Sequence, residues 1–388
     1  MLPTRRITTS GGDVFRDEFS LAFDGTDDYI ATGGKPVDTA DATYVFWTKS
    51  SFIGSHNRAI FGHGGDRVGE FSLQYNSDGK ALLYLENNLY QYWDDGAGNS
   101  HVSDGKWHHV AVVVDIDSMP DCKLYIDGVE IPQSSRATTA TATAYGNMEI
   151  GRANSTTEFE GSLSEFAVYD KMLSISEVKT LYNGREPYNH KEGVCSSNLQ
   201  AWYRMGDGVL DTPPSNHTNS LLISDNTNAT KGSNLWTETY SSNTGSWSAD
   251  GTNNLTQENN AIKITGDGSD SDGARIKLRA SDDMSSNLTV GKLYELAFQS
   301  KVSSGSTVNV QFQISNAHSF VNFVNYTTEY KQFRHYFIAT DATEAEIKCS
   351  SMGDGETIFM KDFSVREISG NAGVGNNFDG TDIVGDTP

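Results

Sequence analysis

From Phe19 onward the chain is written in short alternating runs, and this periodicity constrains its fold more than any other feature. FSLAFDG, YIATG, TYVFWTK, AIFGHG, FSLQYN, ALLYLEN, HHVAVVVD, CKLYIDG, MEIGR and LSEFAVYD follow one another, rich in β-branched and aromatic residues and closed by Gly, Asn or Asp. Side chains that alternate with period two belong to half-buried strands, and strands this short and this closely spaced build sandwiches. A second series begins at Asn234: NLWTETY, AIKITG, ARIKLRA, KLYELAFQSKV, TVNVQFQIS, KQFRHYFIAT, EAEIKCSS and TIFMKDFSVREI. In TVNVQFQIS, Val308, Val310, Phe312 and Ile314 fall on one side, and Asn309, Gln311, Gln313 and Ser315 on the other. One stretch differs: Leu173–Tyr182 carries apolar residues at helical spacing, with Ser174 or Ser176 as N-cap and Gly184 as its stop.

A length of 388 residues exceeds what one core usually organises, and the two series predict two antiparallel jelly-roll β-sandwiches in tandem, an all-β chain with one short helix closing the first. The expected divisions are a polar arm over 1–18, a first sandwich over 19–186, a structured connector over 187–232, a second sandwich over 233–368 and a tail over 369–388. Leu199–Gly208 in the connector reads as a strand. The tail is Gly-rich and is expected to be loose or packed on a partner. Its FDGTDIVGDT (378–387) echoes FDGTDDYIAT (23–32), as a vestige of a repeat would.

Charge removes several function classes. With 29 basic against 51 acidic residues, the net charge of −22 repels phosphate backbones and anionic lipid, so neither nucleic acid nor membrane is an expected partner. Cys122, Cys195 and Cys349 have neither metal nor redox spacing and are expected to be free and mostly buried. The N-terminus lacks the apolar stretch of a secretory signal, so a role outside the cell calls for another route, such as assembly into a virus particle.

Five segments, FSLAFDGTDDYIATG, DGKWHHVAVVVD, LYIDGVE, MEIGR and FEGSLSEFAVYDKMLSISEVKTLYNG, stand in the order and spacing of one known family. Residues 19–185 resemble the laminin G-like, or concanavalin A-like, jelly rolls. The physical roles of these residues are structural: Asp127-Gly128 makes a hairpin turn, and Trp107 is expected in the core beside Val110, Val112 and Val114. GSNLWTETYSSNTGSW, GKLYELAFQSKVSSGSTVNVQF and IFMKDFSVREI resemble carbohydrate-binding modules, and the whole arrangement resembles modular virion proteins of marine bacteriophages. These resemblances imply a carbohydrate-binding or adhesive protein at a virion surface, with a polysaccharide and other virion proteins as partners and a homo-oligomeric state. A structural decoration subunit without ligand and a glycan-degrading enzyme are the alternatives.

Catalysis is not expected. Glucanases of this fold use E-x-D-x-x-E, whereas Glu160-Gly-Ser-Leu-Ser-Glu165 lacks the aspartate, and on a regular strand its glutamates face opposite ways unless a bulge intervenes. His108 and His109 are adjacent and diverge for the same reason. Sugar binding needs an aromatic face beside hydroxyl-bonding groups, which selects Tyr90, Trp93 and Asn99 in LYQYWDDGAGN, and Trp236 and Trp247 in the second sandwich. Asp94 and Asp95 in the same loop are the expected ligands of a calcium ion.

Overall fold

The computed structural model describes residues 15–388 apart from 39, 53–57, 65–68, 76–79, 87–88, 95–101, 139–145, 154–156, 212–220, 251–253, 269–272, 314–320, 326 and 351. The first sandwich pairs an eight-stranded sheet with a nine-stranded one, and every paired strand is antiparallel. Across the eight-stranded sheet, Trp107–Val114, Ala42–Lys49, Glu160–Tyr169, Ser20–Asp24 and Ile383–Val384 lie side by side. Alternation places Tyr44, Phe46, Val110, Val112, Val114, Leu163 and Phe166 in the core, stacked against Phe61 and Phe71 of the opposite sheet. The expected Asp127-Gly128 turn forms, both residues at positive φ (51° and 75°), joining Lys123–Ile126 to Val129–Ile131.

Residues of odd number on Ala42–Lys49 and Trp107–Val114 face outward. Part of this outer face is covered by the only α-helix among the described residues, Ile175–Tyr182, which sets Val178 and Leu181 against Val45, Ala111, Val113 and Tyr169. Ser174 is its N-cap, in a capping box with Glu177, and Asn183 closes it in the left-handed region at φ 50°. Leu199–Tyr203 is the strand expected within the connector; it pairs with Glu160–Tyr169 and brings Trp202 onto the same covered patch.

Trp107 departs from expectation. It lies an odd number of residues from Val110, Val112 and Val114, so alternation turns it to the outer face, where it is half-buried.

The tail corrects a second expectation, because it is built into both sheets of the first sandwich. Gly373–Asn376 lies between Tyr29–Thr32 and Leu221–Ile223, and Ile383–Val384 pairs with Ser20–Leu21. Phe378 is buried edge-on to Phe23 with ring centres 5.1 Å apart. The two echoing segments therefore sit side by side and use the same turn chemistry: Asp24 Oδ1 accepts from the Thr26 amide at 2.7 Å, and Asp379 Oδ1 accepts from the Thr381 amide at 2.7 Å.

The second sandwich is thus inserted between two neighbouring strands of the first. It comprises a six-stranded and a five-stranded sheet around Trp236, Trp247, Phe298, Phe312 and Phe363. Val308, Val310 and Phe312 point into this core as their alternation requires. An apolar cluster of Leu222, Ala372 and Val374 with Leu293, Tyr336 and Ile368 joins the two sandwiches. The three cysteines are free, Cys122 and Cys349 buried and Cys195 half-buried.

Candidate functional site

Burial overturns three of the expected sugar-stacking residues. Leu89–Trp93 alternates strictly, with Leu89, Gln91 and Trp93 inward, so Trp93 is only 1% exposed and belongs to the first core. Trp236 stacks on Phe363 at 4.8 Å, and Trp247 donates its indole N–H to the Tyr240 hydroxyl at 2.9 Å; both are core residues of the second sandwich. A ring packed on both faces cannot also stack on a sugar. Tyr90 is half-buried on the outer side of the nine-stranded sheet, edge-on to Tyr92. Asp94 is half-buried at the strand end, while Asp95 and Asn99 lie outside the described residues.

The outer face of the eight-stranded sheet offers a better-defined site. Trp107, Lys49, Ser162 and Ala22 are consecutive cross-strand partners, so they form one row across four strands. The helix leaves this row uncovered. Over Lys49, Ser162 and Ala22 of this row lies a groove of about 480 Å³, also lined by Asp24, Ser51, Glu160 and neighbouring residues, with Phe52 as an apolar wall and Trp107 beside it. Asp386 from the returning tail closes one side: its carboxylate accepts from Lys49 Nζ at 2.5 Å and from the Trp107 indole N–H at 3.3 Å. Arg58 stands at the rim, 4.3 Å over the Phe52 ring and 3.6 Å from Glu160.

Acid groups crowd the end of the groove. The carboxylates of Asp24, Asp27 and Asp28 can bring oxygens within 4.8 Å of one another. Burial, with the charges of Asp24, Asp382 and Asp27 beside it, pushes Asp28 up to about 7. A carboxyl held above its unfolded value binds a proton in the native state that the unfolded chain has released, so its contribution to stability falls as pH rises from about 4 to about 7. Asp28→Asn keeps an acceptor for the Asp24 amide, which Asp28 Oδ2 accepts at 2.9 Å. The variant is expected to gain about 1–2 kcal/mol over the wild type at about pH 8, with no gain at about pH 4, as measured by urea denaturation. A residual slope belongs to Asp17, also raised to about 7 by burial and by Asp207.

The two glutamates of the glucanase-like spacing are now placed. The strand Glu160–Tyr169 shifts register between Ser164 and Ala167, with Glu165 at φ 51°, so the bulge required for both to face outward is present. Glu165 is nevertheless closed off. It is fully buried, with one oxygen accepting from the Trp202 indole at 2.6 Å and the other from Arg204 Nε at 3.0 Å, under Phe15 and Asp17 of the arm. His108 and His109 diverge as expected: His108 is held between Asp127 and Asp104, and His109 lies against Trp47.

A second polar face occurs on the five-stranded sheet, where Ser248, Arg275, Lys348 and Gln311 are register partners. None of the residues in that row is aromatic, whereas the groove on the first sandwich combines an apolar face with hydroxyl-bonding groups.

The comparison with protein families bears on the sandwich that carries this groove. Residues 24–179 match one family model. It is described as the concanavalin A-like lectin/glucanases superfamily. No curated protein sequence matches the chain. Similar solved structures include the CBM22-1 xylan-binding domain of Paenibacillus barcinonensis Xyn10C, 11% identical over 36% of this chain and 97% of that one, with a TM-score of 0.29. A heptameric SAP-like pentraxin from Limulus polyphemus is 18% identical over 43% and 82%, with a TM-score of 0.33. A Bacteroides ovatus protein provisionally called carbohydrate-binding is 15% identical over 56% and 60%, with a TM-score of 0.39. Scores at this level leave the ligand of this chain to be argued from its own residues.

Sequence reasoning missed the groove because it looked for aromatic clusters within single loops. The available signal was the outward register of each strand: Lys49 ending TYVFWTK, Trp107 opening WHHVAVVV and Ser162 within EGSLSE are polar or amphipathic groups at outward positions.

Proposed function

We propose that this chain is a non-catalytic carbohydrate-binding protein that engages a glycan in the groove between Phe52, Glu160 and Asp386, with Trp107 beside it holding Asp386. The observation that carries this reading is the row Trp107–Lys49–Ser162–Ala22, left open on an otherwise covered sheet face and walled by carboxylates. Aromatic surfaces can take the C–H face of a pyranose while carboxylates and hydroxyls bond its hydroxyl groups. The family match over the same sandwich supports it, since lectins are among that superfamily. Full occupation of Glu165 by Trp202 and Arg204 supports the non-catalytic part.

The reading extends to location and cofactor. The surface of a virus particle, with other virion proteins and copies of the same chain as neighbours, suits the modular build and the charge of −22. Calcium held by Asp94 and Asp95 belongs to the same proposal, with hard oxygen ligands at a strand end as its support.

Binding to a glycan array should fall at least about tenfold in Trp107→Ala and stay unchanged in Tyr90→Ala, with circular dichroism confirming that both variants fold. Running each array with calcium and with chelator tests the cofactor. Retained binding in Trp107→Ala would move the site elsewhere. Failure of the wild type to bind any glycan would favour the structural decoration subunit.

A further inference from the structure

We infer that the groove is selective for saccharides without acid groups, with amino sugars favoured over neutral ones and uronic or sulfated sugars rejected. This inference rests on the glycan-binding reading above and adds the class of ligand. Three carboxylates line the groove, from Asp24, Glu160 and Asp386, against one lining cation, Lys49, with Arg58 behind Glu160 and Phe52.

Both cations are already engaged. Lys49 Nζ is ion-paired with Asp386 at 2.5 Å. Arg58 Nη1 donates to the carbonyls of Gly25 at 2.6 Å and Glu158 at 2.8 Å, and its other terminal nitrogen lies 3.6 Å from Glu160. The Trp107 indole N–H is directed at Asp386 as well. The donors of the site are therefore turned to the protein's own acceptors, both Asp386 oxygens among them, while the Glu160 carboxylate stays exposed at the wall. Glu160 has 47% of its side chain exposed and Asp386 51%.

A ligand that fits such a lining brings donors, which hydroxyls and ammonium groups do. An acidic ligand brings only further acceptors and negative charge. Asp27 adds to the repulsion at the groove's end. Within one ligand diameter, an unscreened excess negative charge is worth about a factor of ten in affinity.

The test compares three soluble oligosaccharides of matched length, built from glucosamine, N-acetylglucosamine and glucuronate, titrated calorimetrically against the wild type, Glu160→Gln and Trp107→Ala. The wild type should bind the glucosamine oligomer tightest and the glucuronate oligomer about tenfold or more weaker than the neutral one. Glu160→Gln should narrow that spread, as should raising the salt. Glucuronate binding as tight as the neutral sugar, and lost in Trp107→Ala, would overturn the selectivity while leaving the groove as the site. Binding of all three unaffected by Trp107→Ala, or no binding at all, would remove the groove reading and this inference with it.

Discussion

Truncation after Ser369 is expected to unfold the first sandwich, although it removes only the last turns and two short strands of the sequence. Gly373–Asn376 supplies the hydrogen bonds between Tyr29–Thr32 and Leu221–Ile223, so its loss opens a slot inside the nine-stranded sheet. Ala372, Val374 and Phe378 are buried, and Phe378 fills the space beside Phe23. Small domains hold about 5–15 kcal/mol of net stability, and losing an interior strand together with a buried Phe consumes most of it. The truncated chain should lose one of its two cooperative urea transitions and become open to proteolysis within 20–225. The milder Phe378→Ala should cost about 3–5 kcal/mol in the same measurement. Retention of both transitions in the truncated chain would show that these strands are not part of the native sheets.

Glu165→Ala is expected to cost as much as Phe378→Ala, through a polar network rather than a cavity. Its carboxyl is held well above the usual carboxylate range by burial, with Asp17 adding charge and Arg204 opposing the rise. Asp17 lies close enough to add its charge, while Trp202 and Arg204 donate to the two Glu165 oxygens. Removing the carboxyl leaves a half-buried guanidinium, a buried indole N–H and Asp17 without their shared partner. Breaking one member of such a buried charged network costs about 3–5 kcal/mol. Glu165→Gln keeps the volume and can still accept from Trp202, but its amide nitrogen then faces the Arg204 donor, so it is expected to cost about 1–3 kcal/mol, measured by urea denaturation against the wild type. A Glu165→Ala variant as stable as the wild type would show that this polar network does not carry the stability of the sandwich.

Much of the local structure was legible in the residues. Period-two alternation marked the strands, a serine at 174 or 176 marked the helix start, and Asp127-Gly128 marked its hairpin, because each is a short-range choice made within a few residues. The candidate site was not legible in that way. Trp93 and Trp247 have the composition of a sugar platform, yet whether an aromatic ring is a wall of a groove or the filling of a core depends on what lies across from it. Trp107 shows the converse: alternation with Val110 already turned it outward, and only the limited reach of the helix left it uncovered.

The sequence by itself determined an all-β chain of two sandwiches, an acidic surface that repels nucleic acid, and the turns and caps that punctuate it. Tertiary structure decided how the two halves are threaded together. The Gly-rich tail reads as loose because glycine lacks a side chain to pack, but a Cβ on Gly373 would sit 2.2 Å from Ile30 and one on Gly375 2.5 Å from Leu221. Those glycines are required by the close approach of strands more than 140 residues away along the chain, a constraint that exists only once the second sandwich has folded between them and returned the chain to the first. The same return places Asp386 at the groove, so the site's composition was set by a long-range contact that no local pattern encodes.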